Sequence, residues 1–481
     1  KVLDAHAGGE TEPVSIMKIA PELVFGRLWQ EMGIAELISQ LAAKRRYGFE
    51  MQRAGYLTVL HRLFASGSDR AAEAWKENYS IPGAEELALQ HLYRAMAWLG
   101  EEIGEGVLGT PRCTKDLIEE ALFDRGRDLF SEVGLVFFDT TSIYFEGTGG
   151  QSLGEYGHSK DHRPDLRQMV VGVALDVHGR PICCEMWPGN TADAKSLLPV
   201  VERMRAKFRV REMCVVADRG MVSEATLKAL GGMEPPVHYI VGVRMRRTKE
   251  VGEVVLRSRA RWQEVTLERQ GAKDPAPLKV KEVEVEGRRY IVCLNEEEQR
   301  KDVHDRACIL EALREQLRRG DKSLIANKGY RRFLKIEGGG HFAIDEKQVA
   351  QEERYDGLFV LRTDTDHDAE TIARVYKMLW MVEDSFRTAK SIMETRPIFH
   401  KCDQTIRGHV FCSFLALVLK HELEIRMEQK GLQAAWSEVV RGLDNLQQVE
   451  LFLQGSRFLL RSQLQGDASQ AIRAAEVALP P

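Results

Sequence analysis

The sequence predicts an α/β protein built on a mixed sheet, and three observations carry that expectation. Apolar, β-branched runs of strand length recur between residues 134 and 243. Segments whose apolar residues step by three and four, the helical period, alternate with them. Among them lies "QMVVGVALDVHGRPICCEMW" (168–187), two apolar runs around His178 and Gly179, which reads as a hairpin. Strand, hairpin, helix, strand, helix, strand is the order of a mixed sheet with helices packed on it.

Taken in order, residues 1–130 read as helices, "PELVFGRLWQEM", "IAELISQLAAKRR", "MQRAGYLTVLHRLFAS", "ELALQHLYRAMAWLGEEI" and "TKDLIEEALFDRG", parted by Gly, Pro and Ser. Lys44, Arg45 and Arg46 form a small basic cluster there, either a solvated loop or a phosphate contact. The opening "KVLDAHAGGETEP" has no initiator Met and no charged-then-apolar leader, which predicts a truncated or processed start. "GLVFFDTTSIYF" (134–145) is a strand whose deeply apolar part ends at Asp139, and "EMCVVADRGM" (212–221) is a buried strand ending at Asp218. A helix interrupted by Pro199, the helix "SEATLKALGG" and the strand "HYIVGV" complete a block over 131–245. Residues 246–354 carry short alternating strands ("EVVLRS", "QEVTLER", "KVKEVEVEGRRYIVCL"), a charged helix near 296–318 and "IEGGGHFAI". This reads as a β-rich insertion, because "LFVLRTDTD" resumes a buried strand and opens a second block over 355–400. Residues 401–481 are expected to be helical and to serve dimerisation. Their "VFCSFLALVL" is about half a membrane span and predicts a buried helix, not a membrane segment.

Composition bounds the function. With 44% hydrophobic and 29% charged residues, the chain is globular, and its 481 residues call for several domains. Eight cysteines without a CxxC predict reduced core thiols and a cytoplasmic setting. A net charge of −4 alone argues against a nucleic-acid partner. Residues 203–249, however, hold eleven Lys or Arg against four acids, a local +7 that brackets Asp218 and suggests a DNA path through Arg219, Arg244, Arg246 and Arg247. The loop "GHSKDHRPDLR", with Lys160 and Arg163, is a second basic stretch for which DNA contact and simple solvation stay open.

"VYKMLWMVEDSFRTAKS" (375–391) reads as one helix. Val375, Leu379, Val382, Phe386 and Ala389 form its apolar stripe, continued by Met393. Tyr376, Trp380, Glu383, Arg387 and Lys390 share the other face, with Glu383 and Arg387 at i,i+4. Asp139, Asp218 and Glu383 are acidic oxygens without histidine or cysteine, a set suited to a hard cation such as Mg²⁺ at about 2.1 Å. Two ions about 4 Å apart would serve an in-line phosphoryl displacement. Arg387, Lys390 and Tyr376 would then hold phosphates.

"FFDTTSIYFEG", "VVADRGMVS" and "Y-x2-L-x3-E-x6-K", in that order, resemble bacterial insertion-sequence DDE transposases of the insertion-sequence-four-like group. "PGNTADAKSL", "DGLFVLRTDT" and "RPIFH...IRGHVFCSFLAL" extend the likeness over about 130–420. The resemblance implies an RNase H-like core interrupted by a β-rich insertion, a helical N-terminal domain binding DNA ends, and a helical C-terminal region. It implies that Asp139 bridges two Mg²⁺ ions, which Mn²⁺ can replace, and that Asp218 and Glu383 each complete one. It places Tyr376 and Lys390 on phosphate contacts and Arg387 where relatives carry another basic contact. Relatives often carry Arg where Leu379 stands. The implied chemistry is cleavage at inverted-repeat ends and strand transfer by the freed 3′-hydroxyls, performed by a homodimer on double-stranded DNA. An RNase H-like endonuclease without strand transfer and a catalytically inert DNA-binding relative are the alternatives. Trp187 and Trp380 are either stacking platforms for an unpaired base or ordinary packing aromatics. His400 and His409 lack a second ligand at helical spacing, so structural roles are expected.

Overall fold

A computed structural model describes residues 12–107, 110–126, 134–210, 212–265, 278–319, 331–336, 342–453, 456–464 and 466–479. They fall into two compact units, one drawn from Lys1–Met213 with Trp380–Pro481, the other from Cys214–Leu379. The expected domain limit at 130/131 lies outside the described residues.

In the first unit, strands β1 (Glu12–Lys18), β2 (Glu102–Glu105) and β3 (Pro111–Cys113) accompany six helices, α1 (Arg27–Glu31), α2 (Ile34–Ala42), α3 (Met51–Phe64), α4 (Asp69–Trp75), α5 (Leu89–Leu99) and α6 (Thr114–Arg125). The N-terminal region is therefore not purely helical. Three strands follow, β4 (Leu135–Tyr144), β5 (Gln168–Leu175) and β6 (Pro181–Pro188), paired antiparallel in the order β6-β5-β4. Every residue of β5 is buried, as its unbroken apolar run implies for a strand covered on both faces. The turn to β6 uses Gly179 at φ +76°, a conformation that favours glycine. Helix α7 (Leu197–Ala206) accepts Pro199 because it stands in the first turn, where no intrahelical N–H bond is lost.

The same unit ends with α12 (Trp380–Ser391), α13 (Asp403–Gln429), α14 (Trp436–Asp444) and α15 (Ala468–Ala474), and with strands β15 (Gln447–Leu453) and β16 (Ser456–Arg461). Helix α13 is apolar on nearly every side from Ile406 to Leu419 and is buried there, as a helix hydrophobic all round must be. It packs against α3, α5, α12 and β6, so the N-terminal helices share its core. Strand β1 pairs with β15, which pairs with β16.

The second unit holds β7 (Cys214–Ala217), α8 (Glu224–Gly231), β8 (His238–Gly242), β9 (Gln263–Val265), β10 (Leu278–Val285), β11 (Arg288–Asn295), α9 (Glu296–Arg319), β12 (Leu334–Ile336), β13 (Phe342–Ile344), α10 (Glu346–Glu353), β14 (Leu358–Thr363) and α11 (Ala369–Lys377). Its main strands run in the order β7-β8-β14-β11-β10-β9, with β7 parallel to β8. An antiparallel meander, a helix, a strand, a helix and a parallel strand is the succession of an RNase H-like core, within an α/β fold with flanking helices. The β-rich segment reads on from the unit's own strands. β11 pairs with β14 from Arg289↔Thr363 to Leu294↔Leu358, so the segment extends the unit's own sheet. The β10–β11 hairpin turns at Glu286 (φ +50°) and Gly287 (φ +71°), the two left-handed positions of a type I′ turn. "EVVLRS" is not a strand, because Val251–Val255 coils helically and buries Val251 and Val255 beside Met245 and Tyr355. Most of "QEVTLER" lies outside the described residues.

Candidate active site

Asp139 does not end its strand. It is the fifth of ten residues in β4, paired with Val173 of β5, and β4 runs on through a further buried stretch to Tyr144. Periodicity could not show this, because Thr140, Thr141 and Ser142 look like a strand end yet are buried. The Asp139 carboxylate, still partly exposed, accepts the Thr140 N–H at 2.7 Å. The Lys160 ammonium stands 3.8 Å from Asp139 Oδ1, donating to the Thr140 carbonyl at 2.5 Å and lying 3.6 Å from Asp193 Oδ2. Thr140 Oγ1 donates to Asp193 Oδ1 at 2.8 Å. The first carboxylate thus already attracts one cation, the chain's own. Lys160, from the basic loop for which DNA contact and solvation stay open, has its ammonium at this carboxylate. Asp193 went unnoticed, although "PGNTADAKSL" contains it.

Glu383 is exposed on α12, whose Val382 and Phe386 are buried and which packs against β4 and β5. The anticipated Glu383–Arg387 pair does not form. Arg387 lies 3.0 Å from Asp384 at i,i+3, which leaves the Glu383 carboxylate to solvent. Lys390 Nζ donates to Asp161 Oδ1 at 2.8 Å. Burial pulls its proton affinity down, and Asp161 opposes that pull. Arg163 pairs with exposed Asp165 at 2.9 Å, with its guanidinium 5.5 Å from the Tyr144 ring centroid.

In the second unit Asp218 follows directly on β7, as expected. Tyr376 Oη donates to Asp218 Oδ1 at 3.0 Å, so the hydroxyl assigned to phosphate grips a carboxylate. Gly242 makes room for it: a Cβ there would lie 2.6 Å from Tyr376 Oη. Tyr376 does not share a helix with Glu383. Helix α11 ends at Lys377, and Met378 and Leu379 bond back to Val375 and Tyr376 in i→i−3 turns before α12 begins. No Gly or Pro marks this break. Arg219, Arg244, Arg246 and Arg247 are exposed, and Arg246 pairs with Glu352 at 3.0 Å. Not all of the local +7 is surface charge, since Arg203 is buried against Glu119 and Glu185.

The two tryptophans differ. Trp187 is buried in β6 and packs beside Gly172. Trp380 is 54% exposed and lines a cleft of about 830 Å³ with Arg180, Lys420 and His421. His400 and His409 form a cluster with Asp69, ligand atoms within 4.8 Å of one another. Arg62 already takes the cation's place there: Nη2 donates to His409 Nδ1 at 3.0 Å and lies 3.8 Å from Asp69. His409 Nε2 lies 3.1 Å from the Thr395 carbonyl, so both imidazole nitrogens of His409 have a partner within hydrogen-bond distance. Sequence spacing missed the cluster because its members come from three separate segments.

The family model described as "Transposase DDE domain" matches residues 133–419, more than half of the chain. No curated protein matches it. Among solved structures, a cryo-EM piggyBac transposase synaptic complex with hairpin DNA is 11% identical, with 89% of this chain and 78% of that chain covered and a TM-score of 0.38. A Mos1 transposase paired-end complex with left transposon end is 15% identical, with 39% and 59% covered and a TM-score of 0.15.

Proposed function

The chain belongs to the transposase DDE domain family, and from that premise we propose that it cuts double-stranded DNA at inverted-repeat ends and joins the freed 3′-hydroxyls to target DNA. The observation that carries the site is Asp139, a partly exposed carboxylate in the middle of a buried strand with an ammonium drawn to it. A carboxylate so placed is costly without a cation partner. Asp139, Asp218 and Glu383 offer only hard oxygens, a donor set that fits Mg²⁺ or Mn²⁺. Two such ions, when bound, supply Lewis-acid charge to the phosphodiester and to its attacking oxygen.

The chain's own residues do the rest. Tyr376 fixes the rotamer of Asp218 from a neighbouring helix. Exposed Arg219, Arg244, Arg246 and Arg247 bind backbone phosphates on the second unit. Arg387 and Lys390 do so on the first, and Trp380 at its cleft stacks an unpaired base. In the cut, water forms a bond to phosphorus as the bond to the 3′ oxygen breaks. In joining, that 3′-hydroxyl attacks a target phosphorus and displaces the target's own 3′ oxygen. Two ends must be handled together, so a homodimer with one copy per end is the working species.

The test is cleavage and joining of labelled DNA carrying the inverted repeats that flank the gene, with Mg²⁺ or Mn²⁺. Wild type is expected to give 3′-hydroxyl ends that join a target plasmid, and Glu383→Gln and Asp139→Asn are expected to bind the ends without cutting. Cutting without joining would make the chain an endonuclease. Wild-type binding with no cutting would make it an inert relative.

A further inference from the structure

Asp161 is an enclosed acid beside the candidate site, its side chain only 5% exposed. One oxygen, Oδ1, takes both Lys390 Nζ at 2.8 Å and Arg396 Nη1. The other, Oδ2, is buried and has no hydrogen-bond partner. A carboxylate that crowds two cations on one oxygen and leaves the second empty is poorly arranged as a stabilising ion pair. The arrangement makes better sense as a fixture for the cations. Lys390 has three N–H donors and Arg396 five, and the single oxygen between them leaves most of those free. Two positive charges against one negative leave the trio at +1, the charge that one phosphodiester neutralises.

Position supports this reading. Asp161 follows Lys160, whose ammonium is at Asp139 and whose backbone N–H donates to Ser142 Oγ at 2.8 Å. The dipeptide therefore ties the middle of β4 to the C-terminal end of α12. Arg396 lies with its guanidinium 5.8 Å from the centroid of Tyr144, the last residue of β4. It is 28% exposed and Lys390 11%, so the free donors lie at the edge of solvent.

We propose that Lys390 and Arg396 form a two-cation subsite for one DNA backbone phosphate, and that Asp161 is a positioning residue that holds both cations at a set distance from Asp139. This rests on the transposase function above and adds Arg396 and Asp161 to its machinery. Binding of the full chain to inverted-repeat duplex is measured across salt concentrations, with cleavage measured at saturating duplex. Arg396→Gln should reduce the slope of log affinity against log salt by about one, as loss of one phosphate contact does. Asp161→Asn should keep or steepen that slope, because it removes no cation, yet lower the cleavage rate at saturating DNA at least tenfold. Asp161→Glu, which restores the carboxylate, should recover part of the rate.

A wild-type slope for Arg396→Gln, or wild-type cleavage by Asp161→Asn, overturns the proposal. If wild type binds but never cuts, the catalytic function falls, while the slopes of Arg396→Gln and Lys390→Gln still decide the subsite. If Asp161→Asn loses the circular dichroism of the folded chain, Arg396→Gln and Asp161→Glu decide it.

Discussion

The carboxylate of Asp218 stands just past a four-residue buried strand, and the contact that holds it is the 3.0 Å hydrogen bond from Tyr376. That bond depends on a third residue. A Cβ at Gly242 would lie 2.6 Å from Tyr376 Oη and 3.1 Å from the Arg219 backbone nitrogen, both too close to accept without movement. Gly242→Ala is therefore expected to push the hydroxyl off Asp218, and Tyr376→Phe to delete it. Under the proposed function, in which Asp218 binds metal, groups that orient such a carboxylate typically affect metal affinity or activity by about 10- to 100-fold, so each variant should slow cleavage by about tenfold or more. Because both act through one bond, the double variant should be no slower than the worse single, and kinetics on the four proteins would show it. A double variant whose losses multiply would mean that Gly242 acts elsewhere.

Helix α13 shows what a run of residues discloses and what it hides. Its apolar stretch predicts a buried helix, and the helix is buried. Its distance from α5 cannot be read from the run, because that depends on two glycines far apart in sequence. A Cβ on Gly408 would lie 1.9 Å from the Met96 carbonyl oxygen, and one on Gly100 would lie 2.0 Å from that of Gln404. Both collisions are with backbone, which cannot rotate away, so Gly408→Ala should destabilise the first unit by about 2 kcal/mol or more. A urea titration would detect it, and an unchanged midpoint would refute the packing argument. Local signals were legible elsewhere too: the β5–β6 hairpin, the strand before Asp218 and the charged helix at 296–319 all follow from them. The break after Lys377 was not, since Met378 and Leu379 are ordinary helix residues and only their tighter i→i−3 bonds mark it. Nor were the pairings of Asp161 with Lys390 or β1 with β15, which join residues hundreds of positions apart. Nor does a count of charges along the chain show where Arg203 lies. Counted as surface charge, it is buried with Lys115 among Asp116, Glu119 and Glu185, binding α6 and α7 to β6.

Across the molecule, the formal charge of −4 says little about how folding responds to acid, because the response depends on groups whose proton affinity changes on folding. No helix among the described residues is long and apolar enough to cross a membrane. Two buried histidines contribute to that response in one direction. Burial, aided by the charge of Arg62, lowers His61 to about 4, and burial holds His409 well below its ordinary range. In the unfolded chain both return to about 6.5. Between those limits the unfolded chain binds protons that the folded chain refuses, so stability rises with pH from about 4 to 6.5 and falls as acid is added. Asp69 works in a lower window. Burial alone would raise its pKa, but the hydrogen bond to His400 and the charge of Arg62 hold it to about 2, so its contribution lasts until the pH drops below 3.8. Each histidine contributes a slope of about 1.4 kcal/mol per pH unit well below 6.5. Urea midpoints at pH 7.5, 6 and 5 should therefore decline steeply. His61 packs edge-on to Trp75 with ring centroids 5.4 Å apart, so His61→Phe keeps a ring there and removes only the titration. That variant should lose about half of the decline, and a midpoint that stayed level from pH 7.5 to 5 in the wild type would show that these histidines are protonated in the folded chain.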